Sequence, residues 1–218
     1  MYQNGPECRR RFLGDFLART APRSIGHAPP DSSARHDSAR SRDMSLTVAA
    51  QPPRIGAGHP ERFDELARLL RDRGERFVRR TSGVDVTADT AVYLCDTMGE
   101  VMSFYAACDV AFVAGSLVPI GGHNLLEPAI LGRPVLTGPY NFNSEDIARR
   151  LSDARACVIV ESGDELATTV ANLLERPTER AELGSRAQAV LNQNRGALRE
   201  LLMLLAPLIT RPIAPQAT

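Results

Sequence analysis

The sequence contains no lysine and no tryptophan, and it has only four cysteines. Cys8, Cys95, Cys108 and Cys157 are too far apart to form a C-x-x-C metal or redox motif, and three of them lie in apolar runs as buried thiols do. The formal net charge is zero, which excludes a global field that attracts nucleic acid or anionic lipid. No run approaches the roughly 18 apolar residues of a membrane span. We therefore expect a reduced, cytoplasmic and soluble chain that binds no nucleic acid and uses no metal or cofactor.

The first quarter of the chain has a composition unlike that of the rest. Residues 1–56 are rich in Arg, Ser, Pro, Ala and His and show no apolar periodicity, although RRRFLGDFLAR is typical of a short helix. Such a segment buries too little apolar surface to offset its ordering entropy, so we predict disorder for residues 1–56 and a flexible tail over 209–218. A basic arm for nucleic acid or membrane is the alternative. It is weakly supported, because residues 1–43 carry eight arginines against five acidic residues.

Residues 57–208 alternate helical and strand patterns. The run DVAFVAG is continuously apolar, as a strand buried on both faces of a parallel sheet is. Ser162 with Glu165 has the spacing of a capping box. The predicted strands are RFVRRT, AVYLCD, DVAFVAG, PVLTG and ACVIVE, and the predicted helices are PERFDELARLLRDRG, EVMSFYAAC, LLEPAILG, SEDIARRLSDA, DELATTVANLLER, TERAELGSRAQAVLNQN and RGALRELLMLLAPL. This alternation predicts one α/β domain, a doubly wound, Rossmann-like and mostly parallel sheet.

The stretch GGHNLLEP, residues 121–128, follows a buried strand and opens a helix, so we expect it at the carboxyl edge of the sheet, where ligands bind. Gly121 and Gly122 can adopt positive φ and admit a ligand close to the backbone. Asn124 can cap the helix, whose first amides form an anion site suited to phosphate. Glu127 can accept hydrogen bonds from two ribose hydroxyls. The alternative is purely structural: a tight turn, a cap with its reciprocal partner, and a structural His123.

The sequence DTMGE, residues 96–100, begins a second helix at the same edge. Thr97 and Glu100 have capping-box spacing, and Met98, Gly99 and Glu100 are expected to line the same cleft as the glycine-rich stretch.

Together, D-T-M-G-E and G-G-H-N-x-x-E-P closely resemble the C-terminal domain of the 3-deoxy-D-manno-octulosonic acid (Kdo) transferases of Gram-negative bacteria, from about His59 to Leu205. The resemblance implies the C-terminal half of a GT-B glycosyltransferase that transfers Kdo from CMP-Kdo to a lipid A precursor, in lipopolysaccharide biosynthesis, at the cytoplasmic face of the inner membrane. It further implies that CMP-Kdo is bound without a metal. The implied binding residues are Met98, Gly99, Glu100, Gly121, Gly122, His123, Asn124 and Glu127.

The chain also departs from this family. The acceptor-binding N-terminal domain, which supplies the glutamate base, has no counterpart here, and Gly58 stands where the family has arginine before H-P-E-R-F. We therefore expect a truncated or frameshifted product that lacks the sheet strands before His59, has no catalytic residue of its own, is inactive alone, and self-associates through its exposed cleft face. Two alternatives stay open: a non-catalytic nucleotide-binding or partner-binding module, and a GT-B donor domain for a uridine nucleotide.

Overall fold

The computed structural model describes residues 44–48, 54–57 and 60–193, together with two helical positions at 203 and 205. The strands are β1 (Met44–Val48), β2 (Arg54–Ala57), β3 (Phe77–Arg79), β4 (Val92–Cys95), β5 (Val110–Val113), β6 (Val135–Thr137) and β7 (Cys157–Ile159). The helices are α1 (Phe63–Asp72), α2 (Val101–Ala106), α3 (Leu126–Ile130), α4 (Glu145–Asp153), α5 (Gly163–Glu175) and α6 (Pro177–Gln193).

The strands form one seven-stranded sheet in the order β3-β4-β2-β1-β5-β6-β7. β4 pairs in parallel with both β3 and β2, and β6 pairs in parallel with both β5 and β7. The central strand β1 is antiparallel to β2 and to β5. The predicted doubly wound and mostly parallel sheet is confirmed, with one reversed strand between its two halves.

The expectation that no strand precedes His59 is wrong, because β1 and β2 both lie in the sheet. Ile55 of β2 is 1% exposed and belongs to the core. The prediction missed these strands because their sequence patterns are short. MSLTV alternates apolar and polar residues as a strand does, and RIGA is too short and too glycine-rich to show a period. The domain therefore begins before residue 57, while the rest of the segment 1–56 and the helix predicted near its start lie outside the described residues.

The core lies on both faces of the sheet, because successive side chains of a strand point in opposite directions. Val110 and Phe112 of β5 pack in the cluster formed with α1 and α5. Val113 packs with α3, α4 and α6, and Ala111 packs with Tyr105 of α2. All four residues of β5 are buried, which confirms the prediction of a strand covered on both faces.

The helix limits follow local sequence signals. Gly74 adopts φ +70° just after α1, where its N–H bonds to the Arg71 carbonyl. The Ser162 hydroxyl accepts a hydrogen bond from the Glu165 N–H at 3.2 Å, as the capping box predicts. The return bond differs, since the Glu165 carboxylate accepts from the N–H of Glu161 instead of Ser162. The helix predicted over 195–208 lies outside the described residues except for positions 203 and 205.

Among the described residues, no helix combines the length and the apolar character needed to cross a membrane.

We predict that Gly184→Ala destabilises the domain, although alanine is the better helix former. A Cβ at Gly184 of α6 would lie 2.0 Å from the carbonyl oxygen of Gly132. Alanine in place of glycine stabilises a helix interior by about 1 kcal/mol. Overpacking costs about 1 to 3 kcal/mol, so we expect a net loss of about 1 kcal/mol. Urea unfolding followed by circular dichroism measures the change. A more stable variant would show that α6 does not pack this closely.

Candidate functional site

The eight predicted site residues all lie at the carboxyl edge of the sheet. Met98, Gly99 and Glu100 follow β4 and lead into α2, whereas the residues from Gly121 to Glu127 follow β5 and lead into α3. β2 and β1 lie between β4 and β5, so the strand ends at which the two loops start are about 14 Å apart, at three strand spacings. α2 and α3 pack against each other and connect them. The two loops therefore lie at the same edge of the sheet and lead into neighbouring helices.

Both predicted glycines need positive φ, at +108° for Gly121 and +71° for Gly122. The space beside them is occupied by the loop that follows β6. A Cβ at Gly121 would lie 2.3 Å from the Asn143 side chain, and one at Gly122 would lie 2.6 Å from the Asn141 side chain. These glycines thus allow the loop of residues 138–144 to pack on the glycine-rich loop.

Asn124 lies two residues before the start of α3, one residue earlier than the predicted N-cap position. The helix begins at Leu126, and the Asn124 side-chain oxygen accepts a hydrogen bond from the Leu126 N–H at 3.0 Å. The Asn124 amide nitrogen lies 3.4 Å from a carboxylate oxygen of Glu127. Because α3 has only five residues, its dipole is smaller than the predicted helix over 125–132 would give.

The His123 ring is part of the loop packing. A Cβ at Gly115 would lie 3.2 Å from its Cδ2, so the ring lies against the Gly115 backbone, which has φ +76°. The Ser144 hydroxyl donates to the His123 carbonyl at 3.4 Å. These contacts are those of the structural alternative for His123, and its role in binding stays a prediction.

The capping box predicted in the first loop is not formed. Glu100 occupies the N-cap position of α2, and the Thr97 hydroxyl donates to the Glu100 side chain and not to the helix backbone. This hydrogen bond, reinforced by Arg80 at 3.1 Å, lowers the pKa of Glu100. Met98 is 59% exposed, and Gly99 has φ +79° with open space beside it. The loop therefore has a fixed base and an exposed tip.

Asp96, at the base of that loop, is a residue that the sequence interpretation did not select. Its side chain is completely buried and accepts hydrogen bonds from Arg79 Nε at 2.6 Å, from the Thr81 hydroxyl at 2.5 Å and from the Thr81 N–H at 2.9 Å. Burial raises the pKa of Asp96, but these donors outweigh it and the net pKa is lowered. An acidic residue directly after an apolar strand run was the available signal.

A buried polar network joins the loops after β5 and β6. The Ser116 hydroxyl donates to the Val113 carbonyl at 2.9 Å and accepts from the Gly138 N–H at 2.7 Å. Asn141 accepts from the Thr137 hydroxyl at 2.8 Å and donates to the Gly138 carbonyl at 2.6 Å. This network fixes the surface on which the glycine-rich loop rests.

In the part of the chain that the structure describes, no group of three His, Cys, Asp or Glu side chains is placed to hold a metal ion. The groups that this edge of the sheet offers to a ligand are main-chain amides, carboxylates and exposed apolar side chains.

Comparison with known proteins gives consistent relatives, although no protein-family model matches the chain. The 3-deoxy-D-manno-octulosonic acid transferase of Haemophilus influenzae is 43% identical over 156 residues, which cover 71% of this chain and 36% of that protein. The transferase of the same description from Bordetella pertussis is 37% identical over 145 residues, which cover 66% and 34%. The chain thus spans about a third of the length of these relatives.

A solved structure is also similar. The crystal structure of the C-terminal CMP-Kdo binding domain of WaaA from Acinetobacter baumannii matches with a TM-score of 0.59 and 38% identity, covering 61% of this chain and 69% of that chain.

Proposed function

Because the chain belongs to the 3-deoxy-D-manno-octulosonic acid transferase family, we propose that its α/β domain binds CMP-Kdo as the donor-binding part of a glycosyltransferase. The observation that carries the proposal is the 38% identity to a domain whose structure is described as CMP-Kdo binding. The position of the eight candidate residues, in two loops and the first turn of α3 at one sheet edge, supports it. The acceptor that the resemblance implies is a lipid A precursor at the cytoplasmic face of the inner membrane.

We assign the ribose to Glu127. This half-buried carboxylate stands in the first turn of α3, and its contact with the Asn124 amide is long at 3.4 Å. A carboxylate has about four acceptor positions, so Glu127 can receive two ribose hydroxyls and keep its neighbour. The start of α3 offers few free donors, because the Leu126 N–H donates to Asn124 and Pro128 has no N–H. We therefore assign the phosphate to the glycine-rich loop that leads into α3, and the nucleobase to the exposed tip formed by Met98 and Gly99.

Transfer of Kdo to an acceptor also needs a base that takes the proton of the attacking hydroxyl. Asp96 and Glu100 are the carboxylates of the first loop, and each is held by an arginine and a threonine. Hydrogen bonds that favour the charged form make a carboxylate a weaker base. We therefore assign neither as the base, in keeping with the resemblance, which places the base in the acceptor-binding domain.

Calorimetric titration with CMP and, separately, with UMP tests the function. We expect saturable CMP binding that Glu127→Ala weakens about 10- to 150-fold, because charge-assisted hydrogen bonds to the ribose contribute about 1.5 to 3 kcal/mol. UMP should bind more weakly, since uracil has a carbonyl where cytosine has an amino group.

Glu179→Ala is the matched control. Glu179 lies on α6 beside Arg180, which pairs with Asp109 at the opposite, amino-terminal edge of the sheet. Its removal should leave CMP binding unchanged. Failure of the folded wild-type chain to bind CMP would refute the proposal, and equal or tighter binding of UMP would favour a uridine-nucleotide donor domain.

A further inference from the structure

Asp96 is the one buried carboxylate among the described residues. A buried charge costs free energy unless it is paired, and an apolar residue of similar size often gives an equally stable fold. Here the charge is fully compensated by Arg79 and Thr81, and Arg79 extends the network to Asp64 of α1 at 2.7 Å. Such a network fixes the positions of the residues that it joins more than it stabilises the fold. The positions that it fixes therefore indicate what the network does.

The residues 79–81 contact both ends of the loop after β4. Arg79 and Thr81 bind Asp96, where the loop begins, and Arg80 binds Glu100, where it ends. Thr97 bonds to Glu100 across the loop. The two remaining residues, Met98 and Gly99, are exposed to solvent. The loop is therefore held at its base by side chains from a neighbouring strand end, while its tip makes none of these contacts.

We infer that residues 79–81 preorganise the loop of residues 96–100 for ligand binding, with Arg79, Thr81 and Asp96 as positioning residues of the donor site. The inference rests on the proposed function, because the ligand concerned is the CMP-sugar donor. Its physical basis is that a loop already held in its bound conformation loses less entropy when the ligand binds. None of the three residues needs to touch the donor.

Two variants of the 79–81 segment test this inference. Arg79→Gln removes the ion pairs to Asp96 and Asp64, and Thr81→Val removes one hydroxyl at constant shape. We expect amide hydrogen exchange of residues 97–100 in the ligand-free chain to accelerate about tenfold in Arg79→Gln and less in Thr81→Val. CMP affinity should also fall, and it should fall more in Arg79→Gln than in Thr81→Val. Thr81→Ser, which keeps the hydroxyl, should retain wild-type exchange and affinity.

Arg176→Gln is the control, because Arg176 forms an exposed pair with Glu179 on α6, and it should leave both readouts unchanged. Unchanged loop exchange in Arg79→Gln and Thr81→Val would overturn the inference. Faster exchange with unchanged CMP affinity would also overturn it, since the loop would then be held for another reason. If the wild-type chain binds no CMP, the proposed function fails and with it the link to the donor, whereas the exchange result still decides whether residues 79–81 hold the loop.

Discussion

Replacing Gly138 by alanine is expected to destabilise the domain by about 3 kcal/mol, the upper part of the range for overpacking. A Cβ at this position would lie 2.3 Å from the Ser116 carbonyl oxygen and 2.6 Å from the Leu117 nitrogen. Both are backbone atoms, so no side-chain rotation relieves the clash. The two backbones are also tied together, since the Gly138 N–H donates to Ser116 Oγ and the Tyr140 N–H donates to the Ser116 carbonyl. Separating them breaks hydrogen bonds in a buried network.

Urea unfolding measures this loss, with Gly83→Ala as the control. Gly83 has φ +66° and open space beside it, so alanine there meets only backbone strain, about 1 kcal/mol. Gly138 has no positive φ, which leaves the clash as its whole effect. Equal losses in the two variants would contradict the close approach at Gly138. A larger loss for Gly138→Ala, together with weakened CMP binding, would show that this contact supports the glycine-rich loop.

Most of the elements could be predicted because their signals are local. Four consecutive buried residues in β5 come from one apolar run, and the Ser162 cap of α5 comes from a three-residue spacing. The alternation of strands and helices then gives a doubly wound sheet through the chirality and shortness of its connections. Local signals fail where an element is short. β1 and β2 have five and four residues, and their place at the sheet centre is set by pairing with β4 and β5.

The sequence predicts which residues form the candidate site, but it does not predict the contacts among them. Arg79 and Asp96 are 17 residues apart, and Ser116 and Gly138 are 22 apart, so nothing in either local pattern pairs them. The packing around the glycines of the site could not be predicted from local sequence either. Their positive φ was predictable from the run GGHN, whereas the loop of residues 138–144 that fills the space beside Gly121 belongs to another strand end. Spacing predicts that residues share an edge, and tertiary packing decides which of them touch.

Asp96→Asn is expected to lower the free energy of unfolding at pH 7 by about 3 kcal/mol. This value is at the lower end of the range for breaking a buried ion pair. The amide has one oxygen, so it cannot accept from Arg79 and from both Thr81 donors, and its nitrogen adds a donor where donors already converge. Because the pKa of Asp96 is lowered in the folded chain, its ionised form stabilises the fold above its unfolded pKa, about 3.9. That stabilisation is lost as the pH falls through the lower, folded pKa.

The difference in stability between wild type and Asp96→Asn should therefore be constant from pH 7 to about pH 5 and shrink below about pH 4. Urea unfolding at a series of pH values measures it. Asp146→Asn is the control, because Asp146 also pairs with an arginine at 2.6 Å but is 78% exposed, and it should cost less than about 1 kcal/mol at any pH. A difference for Asp96→Asn that persists unchanged at pH 3 would mean that shape, and not charge, is what Asp96 contributes. A value as small as the control's would remove the reason for treating residues 79–81 as the support of the site.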